Sequence, residues 1–255
     1  MDGGKIINKF FTYLKRNGLL KTIIRTFSWM GFYFKKKSIL NKSENRQEIF
    51  SNIYSKNFWG SKESYSGKGS EILQTNLIRN ELPKILLEHG CSSILDAPCG
   101  DFFWMKNVIQ DSNIKYIGCD IVKELIDHNQ KKFGNKNIVF KHLDICSSDL
   151  PNADIMICRD CLIHLSYKDI KSFIKNFLNS EIPLLLLTNH KNYNKKFKNK
   201  DIQTGDFRFI DIFREPFGFP EEVIYRFDDY VEPGTPKEMC LFTKEQIKQA
   251  SINET

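Results

Sequence analysis

A short apolar segment that ends in an acid and runs directly into a tight turn constrains the fold of this chain most strongly. Residues 93–96 have the character of a buried strand that ends at Asp96, and the turn after it carries Gly100 and leads into a predicted helix. A second apolar segment, residues 115–119, delivers Asp120 twenty-four residues after Asp96. In a doubly wound α/β sheet both acids lie at the carboxyl edge of parallel strands, where an acid after the second strand binds ribose hydroxyls. The spacing therefore predicts a nucleotide-type pocket at that edge.

Two further strand-like segments continue this pattern. Asp144 follows the apolar run 138–140, and residues 154–158 form a fourth predicted strand that is followed by the polar segment 159–165. A single acid after a strand is often only a helix cap. Four acids in order, spaced by strand and helix units, indicate one shared binding edge.

With these residues the chain resembles the class I S-adenosylmethionine-dependent methyltransferases over residues 93–190. The resemblance implies a doubly wound, Rossmann-like α/β fold with a seven-stranded, mostly parallel sheet, an antiparallel final strand and an N-terminal helical extension. A helix capped by Ser166, a buried apolar strand at 182–187 and closing strands at 223–227 and 239–243 would complete that fold. The resemblance also implies S-adenosylmethionine as the cofactor, with Asp144 near its adenine amino group. The implied cofactor-binding residues are Asp96, Ala97, Pro98, Gly100, Asp101, Asp120, Ile121, Asp144, Ile145 and Arg159.

The cofactor turn departs from the glycine-rich form that is usual in this family. Where the family places glycines, this chain has Pro98 and Phe102, so that only Gly100 remains. A dinucleotide needs glycines at such a turn because the backbone must touch its pyrophosphate. S-adenosylmethionine has no phosphate and tolerates a bulkier turn. The turn thus favours the methyl donor over a dinucleotide, and another doubly wound α/β protein remains the alternative.

The segment ahead of the first predicted strand carries a second resemblance. Trp59-Gly60 and the glycine–serine run 66–70 resemble a branch of bacterial methyltransferases with an aspartate-alanine-proline-cysteine-glycine-aspartate turn. Members of that branch are often associated with surface-polysaccharide or related small-molecule pathways. We expect Ser70 to be the N-cap of a helix over residues 71–88, and Trp59, Ser70 and Arg159 to bind the substrate. A plain surface turn is the alternative for residues 66–70.

Two residues after the predicted fourth strand are candidates for catalysis. Methyl transfer from a sulfonium is an in-line displacement, so alignment of the reacting groups supplies most of the rate. A general base adds a factor of about 100 to 10,000 when the acceptor is a hydroxyl. Asp160 and His164 are the candidate catalytic residues, while Arg159 would hold an anionic acceptor or the cofactor's carboxylate. A turn-forming aspartate and a structural histidine are the alternatives.

Two absences from the sequence favour an oxygen acceptor. The segment after the fourth predicted strand lacks the Asx-Pro-Pro-aromatic run of resembling enzymes that methylate amino groups of nucleic-acid bases. The one Pro-Cys pair, Pro98-Cys99, lies in the cofactor turn rather than at the fourth strand. We therefore predict O-methylation of a small molecule or surface-glycan intermediate. The five lysines of loop 191–200 leave a phosphate- or phosphoramidate-type oxygen as one alternative, and a non-catalytic, membrane-peripheral binding module is another.

The spacing of Cys158, Cys161 and His164 resembles part of a zinc site. A closed structural zinc site needs four ligands, and no second cysteine pair occurs at a matching spacing. We predict no metal at this position.

The charge of the chain separates a neutral body from a basic N-terminal arm. Residues 1–40 contain nine Lys or Arg and one acid, whereas the other 215 residues contain 29 basic and 30 acidic residues. We predict a helical arm over residues 1–45 and a methyltransferase domain over residues 46–255. No nucleic-acid partner is expected, because the body lacks the excess of basic residues that such binding needs. The odd number of cysteines, seven, indicates reduced thiols and a cytoplasmic protein.

The arm has the pattern of two short, basic, amphipathic helices followed by an aromatic cluster. Its longest uncharged run, residues 26–34, is about half the length that a membrane-spanning helix needs. Basic residues beside aromatic ones suit a helix that lies in a membrane interface. We hypothesise that the arm attaches the protein to the inner face of the membrane, and packing on the body or a dimer contact is the alternative. Equal co-sedimentation of the full chain and of residues 41–255 with anionic liposomes would exclude membrane attachment.

Overall fold

A computed structural model describes residues 31, 37, 38, 40, 43–110, 112–192, 194, 196–232 and 234–249. The chain divides into two units, Met1–Glu44 and Asn45–Thr255. Most of the predicted arm lies outside the described residues, so its two helices and its membrane attachment stay predictions. In the described ranges, none of the helices combines the length and the apolar composition needed to cross a bilayer. The description below concerns the second unit.

The second unit is built on one seven-stranded sheet. Strands β1 to β7 span Ser93–Asp96, Lys115–Asp120, Ile138–His142, Ile155–Cys158, Leu184–His190, Tyr225–Asp228 and Lys237–Thr243. Their order across the sheet is β3-β2-β1-β4-β5-β7-β6, and β7 runs antiparallel to both of its neighbours. The pairs from β3 to β5 are all parallel. The predicted Rossmann-like sheet with an antiparallel final strand is confirmed.

Six α-helices accompany the sheet in the described part of this unit. Helices α1 to α6 span Arg46–Ser55, Asn76–Glu88, Lys106–Ile109, Lys123–Phe133, Tyr167–Asn179 and Lys244–Lys248. Short 3₁₀ turns lie at Lys68–Ser70 and Leu162–His164.

The helix predicted over residues 71–88 begins later than its sequence pattern indicated. Helix α2 starts at Asn76, and its N-cap is Thr75 rather than Ser70, which ends a 3₁₀ turn. The carboxylate of Glu71 accepts a hydrogen bond from the Ser61 hydroxyl at 2.9 Å, and the Thr75 hydroxyl donates to the Glu71 carbonyl at 3.1 Å. These loop contacts hold residues 71–75 in turns, so the predicted N-cap role of Ser70 is wrong.

Two hydrophobic cores, one on each face of the sheet, explain why β4 and the first four residues of β5 are apolar. In β5, Leu186 belongs to one core, whereas Leu185 and Leu187 belong to the other. Side chains alternate across a strand, so a strand that is covered on both faces is apolar at every position. Helical residues that fill these cores are Ile78, Leu82 and Ile85 of α2 and Phe173, Ile174 and Phe177 of α5. All seven cysteines are buried and free.

Helix α5 begins at the cap that the sequence predicts. The Ser166 hydroxyl accepts the N–H of Asp169 at 3.2 Å. An N-cap serine replaced by alanine typically costs about 1 kcal/mol, because one helical N–H loses its partner. We therefore expect Ser166→Ala to lower the free energy of unfolding by about 1 kcal/mol, as measured by urea denaturation.

Ser172→Ala is the matched control within the same helix. The Ser172 hydroxyl donates to the Lys168 carbonyl one turn earlier, a bond that adds little to helix stability. We expect a change below about 0.5 kcal/mol there. Equal losses in the two variants would contradict the assigned cap.

Candidate functional site

A cavity of 660 Å³ opens at the carboxyl ends of the parallel strands. Ligands of open α/β sheets bind at this edge, because the loops that follow the strands converge there. The predicted site residues that line the cavity are Trp59, Ser70, Asp96, Pro98, Gly100, Asp101, Asp120, Ile121, Asp144, Ile145, Arg159, Asp160 and His164. The fold thus brings together residues from seven separate stretches of the chain.

Ala97 is the predicted site residue that the structure places elsewhere. It is fully buried, and its N–H donates to the carbonyl of Ile157 at 3.0 Å. Its side chain shares a hydrophobic core with Leu95, because alternate residues of an extended segment face the same side. Asp96 therefore points to the cavity, whereas Ala97 occupies a core position outside the cavity lining, and its cofactor contact stays a prediction.

The turn after β1 is held by the acid at the end of β2. Asp120 accepts the N–H of Gly100 through one oxygen at 3.1 Å and the N–H of Val122 through the other at 3.0 Å. Gly100 has a φ of +54°, and a Cβ at this position would lie 2.0 Å from the Ser66 hydroxyl. The one glycine that the turn retains is therefore the one that its backbone conformation and its close neighbour require. Burial raises the pKa of Asp120 to about 6, although the N–H donors oppose this shift.

Asp96 lies beside Asp120 at the floor of the cavity. It is 3% exposed and accepts a hydrogen bond from the Tyr116 hydroxyl at 2.7 Å. Burial raises the pKa of Asp96 to about 7, and the negative charge of Asp120 adds to the rise. Ionisation of both acids therefore lowers the stability of the folded protein.

The stability of an Asp96→Asn variant is expected to depend on pH in a defined direction. Between about pH 4 and pH 7 the folded protein holds a proton on Asp96 that the unfolded chain has released, so ionisation of this group costs stability as pH rises. Asparagine carries no such charge and can still accept from Tyr116. We expect the difference in the free energy of unfolding, Asp96→Asn minus wild type, to increase from pH 4.5 to pH 7.5. A constant difference across urea titrations at these pH values would contradict the raised pKa.

Asp101 fastens the glycine–serine loop to the cofactor turn. Its carboxylate accepts the Ser64 hydroxyl at 2.9 Å, the N–H of Tyr65 at 2.8 Å and the Ser66 hydroxyl at 3.2 Å. The N–H of Asp101 donates back to the Ser66 hydroxyl at 3.1 Å. Asp101 was predicted as a cofactor ligand, and its contacts in the structure assign its carboxylate to the loop that borders the cavity.

Helix α1 contributes one face to the cavity, which the sequence analysis missed. Arg46, Phe50 and Tyr54 line the cavity and are spaced four residues apart, so they share one side of the helix. Arg46 bonds to Asp144 through Nε at 2.8 Å and to Asp169 through Nη1 at 2.6 Å. The regular spacing was a signal that could have been found, whereas the partners of Arg46 lie 98 and 123 residues away.

Four charged side chains, two buried and two half-buried, form a cluster at the carboxyl end of β4. Arg159 donates through Nε to Asp229 at 2.8 Å and through Nη1 to the carbonyl of Gly69 at 2.9 Å. Lys237 contacts Asp160 and lies 3.2 Å from the carboxylate of Asp229. The cluster has two positive and two negative charges, so its net charge is zero. Sequence reasoning missed Lys237 and Asp229, because they lie on or beside the closing strands.

Asp160 is held in an ionised state by this cluster. Burial alone would raise its pKa, but the charges of Lys237 and Arg159 keep the pKa of Asp160 well below its usual value. Its φ of +52° is uncommon for a residue other than glycine, and its N–H donates to the Thr188 hydroxyl at 2.8 Å. A carboxylate with a low pKa is a weak base, so Asp160 is poorly suited to accept a proton near neutral pH.

His164 and His190 both line the cavity. Nδ1 of His164 lies 2.8 Å from the carbonyl oxygen of Asp206. A carbonyl only accepts hydrogen bonds, so Nδ1 carries the proton in the neutral ring and Nε2 carries the lone pair. His190 ends β5, is 5% exposed, and burial lowers its pKa to about 4. The sequence analysis missed His190, although its position three residues after the predicted apolar run 182–187 was a usable signal.

No group of three His, Cys, Asp or Glu side chains with the arrangement of a metal site occurs in the described ranges.

Comparisons with known proteins agree with this fold. Residues 94–180 match the family model of a methyltransferase domain. A magnesium protoporphyrin IX methyltransferase from Synechocystis PCC 6803 is 14% identical, with 78% of this chain and 99% of that chain covered and a TM-score of 0.54. An S-adenosylmethionine-dependent methyltransferase from Leishmania major is 13% identical, with 82% of each chain covered and a TM-score of 0.51. The N-methyltransferase NodS from Bradyrhizobium japonicum WM9 is 12% identical, with 67% and 96% covered and a TM-score of 0.50.

No curated protein sequence matches the chain. TM-scores of 0.50–0.54 at identities of 12–14% show a common fold and nothing more specific. The names of these proteins describe methyltransferases of different kinds. The methyltransferase domain implies S-adenosylmethionine as the cofactor. The second unit therefore has a methyltransferase fold whose acceptor must be argued from its own residues.

Proposed function

We propose that this chain transfers a methyl group from S-adenosylmethionine to an oxygen of a small molecule or surface-glycan intermediate. The observation that carries the proposal is the arrangement of His164 in the same cavity as Asp120, with Nδ1 directed at the Asp206 carbonyl. The resemblance of residues 59–70 to bacterial enzymes of surface-polysaccharide pathways supports a glycan-type acceptor and a cytoplasmic setting.

The residues at the floor of the cavity fit the cofactor. Asp120 would accept from the ribose hydroxyls, since each of its oxygens has one N–H donor and retains a further lone pair. Asp144 would face the adenine amino group, beside the guanidinium of Arg46. Nη2 of Arg159 is buried and has no hydrogen-bond partner among the described residues, which suits the cofactor's carboxylate. When bound, S-adenosylmethionine supplies an electrophilic methyl group on a sulfonium.

The residues at the other end of the cavity would prepare the acceptor. Its hydroxyl would give its proton to Nε2 of His164 while its oxygen bonds to the methyl carbon and the carbon–sulfur bond breaks. The Asp206 carbonyl would hold the imidazole in the required tautomer and stabilise its protonated form. Asp160 would line the same end of the cavity, with its negative charge offset by Lys237 and Arg159.

A phosphate-type acceptor has less support from the charges at this end of the cavity. Lys237 is paired with Asp160, and Lys191 at the start of the lysine loop is paired with Asp228. Arg159 is paired with Asp229 through Nε, and its open Nη2 is assigned above to the cofactor's carboxylate. A dianionic acceptor would need an unpaired cation to offset its desolvation. We therefore place an uncharged hydroxyl first.

Calorimetric titration with S-adenosylmethionine, S-adenosylhomocysteine and NAD tests the cofactor. We expect micromolar binding of the first two and none of NAD. Acceptors would then be screened by release of S-adenosylhomocysteine, with mass spectrometry to locate the added methyl group. Failure to bind either cofactor form would instead support a non-catalytic binding module, and methylation of nitrogen would overturn the oxygen assignment.

A further inference from the structure

Five rings form a continuous arc along the acceptor side of the cavity. The consecutive contacts join Trp59 to His164 at 5.1 Å between ring centroids, His164 to Phe207 at 5.8 Å, Phe207 to Phe209 at 5.4 Å and Phe209 to His190 at 5.1 Å. All five side chains line the cavity. We call these residues the ring arc.

The two phenylalanines of the ring arc are about half exposed to solvent, although large apolar side chains are usually buried. Phe207 is 49% exposed and Phe209 is 44% exposed, although both lie beside a deep cavity. Large apolar side chains left open to water around a pocket indicate a ligand surface. The arc is therefore apolar surface that a bound molecule would cover.

The backbone holds these two rings on the same side. Between them lies Arg208, which is 7% exposed and donates through Nη1 to the Leu165 carbonyl at 2.6 Å. The N–H of Arg208 donates to the Ile163 carbonyl at 3.1 Å, and the N–H of His190 donates to the Ile210 carbonyl at 2.9 Å. Since Arg208 points inward, its neighbours point outward in an extended segment. The segment that carries Phe207 and Phe209 is thus anchored to the turn after β4 and to the end of β5.

Electrostatics at this surface disfavour a charged ligand. The neighbouring cluster of Arg159, Asp160, Asp229 and Lys237 has no net charge. His190 is neutral near pH 7, because burial lowers its pKa to about 4. Its Nδ1 is buried and has no hydrogen-bond partner in the described part of the chain. An uncharged ligand suits surroundings without net charge, and a hydroxyl on that ligand could form a hydrogen bond with Nδ1 of His190.

We propose that the ring arc is the acceptor subsite and takes an uncharged acceptor that has its reacting hydroxyl on a ring. An aromatic ring or the apolar face of a pyranose would lie against Phe207 and Phe209, with the hydroxyl directed towards His164. This inference rests on the proposed methyl transfer and specifies its substrate class.

Saturation-transfer NMR on protein saturated with S-adenosylhomocysteine tests the subsite. The probes are phenol, methyl β-D-glucopyranoside, the acyclic hexane-1,2-diol and phenyl phosphate. We expect one of the two uncharged ring probes to bind, and both the diol and the phosphate to bind more weakly than that probe. Phenol binding would identify an aryl acceptor, and glucoside binding a glycosyl acceptor.

A double variant removes the two ring faces and keeps apolar volume. The double variant Phe207→Leu with Phe209→Leu should lower the affinity for the ring probe by at least about 10-fold, because two ring contacts are lost. Its affinity for S-adenosylhomocysteine should be unchanged. Phe133→Leu is the control, since this half-buried phenylalanine is outside the cavity lining. The proposed subsite would be overturned if the diol bound as tightly as the ring probe, or if the double variant bound the ring probe as tightly as the wild type.

The experiment separates this inference from the proposed function. If S-adenosylhomocysteine binds and neither ring probe does, the subsite fails while the cofactor assignment stands. If S-adenosylhomocysteine does not bind, the proposed function fails and the acceptor assignment fails with it. Ring binding to the unsaturated protein that the double variant abolishes would then show a ring-binding surface that serves another purpose.

Discussion

Replacement of Asp120 by alanine is expected to weaken S-adenosylmethionine binding by at least about 100-fold, or about 2.8 kcal/mol. A hydrogen bond to a charged acceptor contributes about 1.5–3 kcal/mol, and Asp120 is placed to accept from both ribose hydroxyls. The same carboxylate holds the N–H of Gly100 and that of Val122, so its removal also loosens the cofactor turn. Calorimetric titration of the variant against the wild type measures the loss.

Asp127→Ala is the matched control for this change of charge. Asp127 lies on α4, where its exposed carboxylate pairs with Lys123 at 2.6 Å, and we expect its affinity for the cofactor to equal that of the wild type. Thermal unfolding of both variants would verify that they are folded. Wild-type affinity in Asp120→Ala would show that the cofactor does not bind at the end of β2.

His164→Asn is expected to lower turnover by about 100-fold or more and to leave the cofactor affinity nearly unchanged. The asparagine amide can still donate to the Asp206 carbonyl, as Nδ1 does in the wild type. It cannot take a proton from an acceptor hydroxyl, because its amide is not basic. The initial rate of S-adenosylhomocysteine release, measured with the acceptor found by screening, tests this.

His164→Phe and His128→Asn complete the set. Phenylalanine keeps the ring contacts with Trp59 and Phe207, so a comparable loss there would assign the effect to the imidazole nitrogens. His128 lies exposed on α4, and its replacement should not alter the rate. Full turnover in both His164 variants would give this residue a structural role.

Local patterns predicted the parallel part of the sheet with good accuracy. Strands β1 and β2 begin where predicted, and the helix after Ser166 begins at its predicted cap. These elements depend on interactions within a few residues, such as a hydroxyl that accepts an N–H three positions later, and on burial of both sheet faces. Local capping and burial of both sheet faces can each be recognised from the residue types at neighbouring positions.

The start of α2 shows where such patterns fail. Ser70 has the residue type of an N-cap, but Glu71 is held by Ser61 and the helix begins only at Asn76. Ala97 shows the same limit. The sequence of the turn did not reveal which of its side chains point to the cavity and which point to the hydrophobic core. A local signal is overruled when a distant partner competes for the same group.

The sequence by itself determined that this chain folds as a doubly wound α/β sheet with acids at its carboxyl edge. That information is local, because short apolar runs and the acids that follow them recur along the chain. Only the tertiary structure decided which groups meet in the cavity. Lys237 reaches Asp160 across 77 residues, and Arg46 reaches Asp144 across 98. Such pairs have no spacing rule, since the antiparallel β7 and the packing of α1, rather than the adjacency of residues, bring them together.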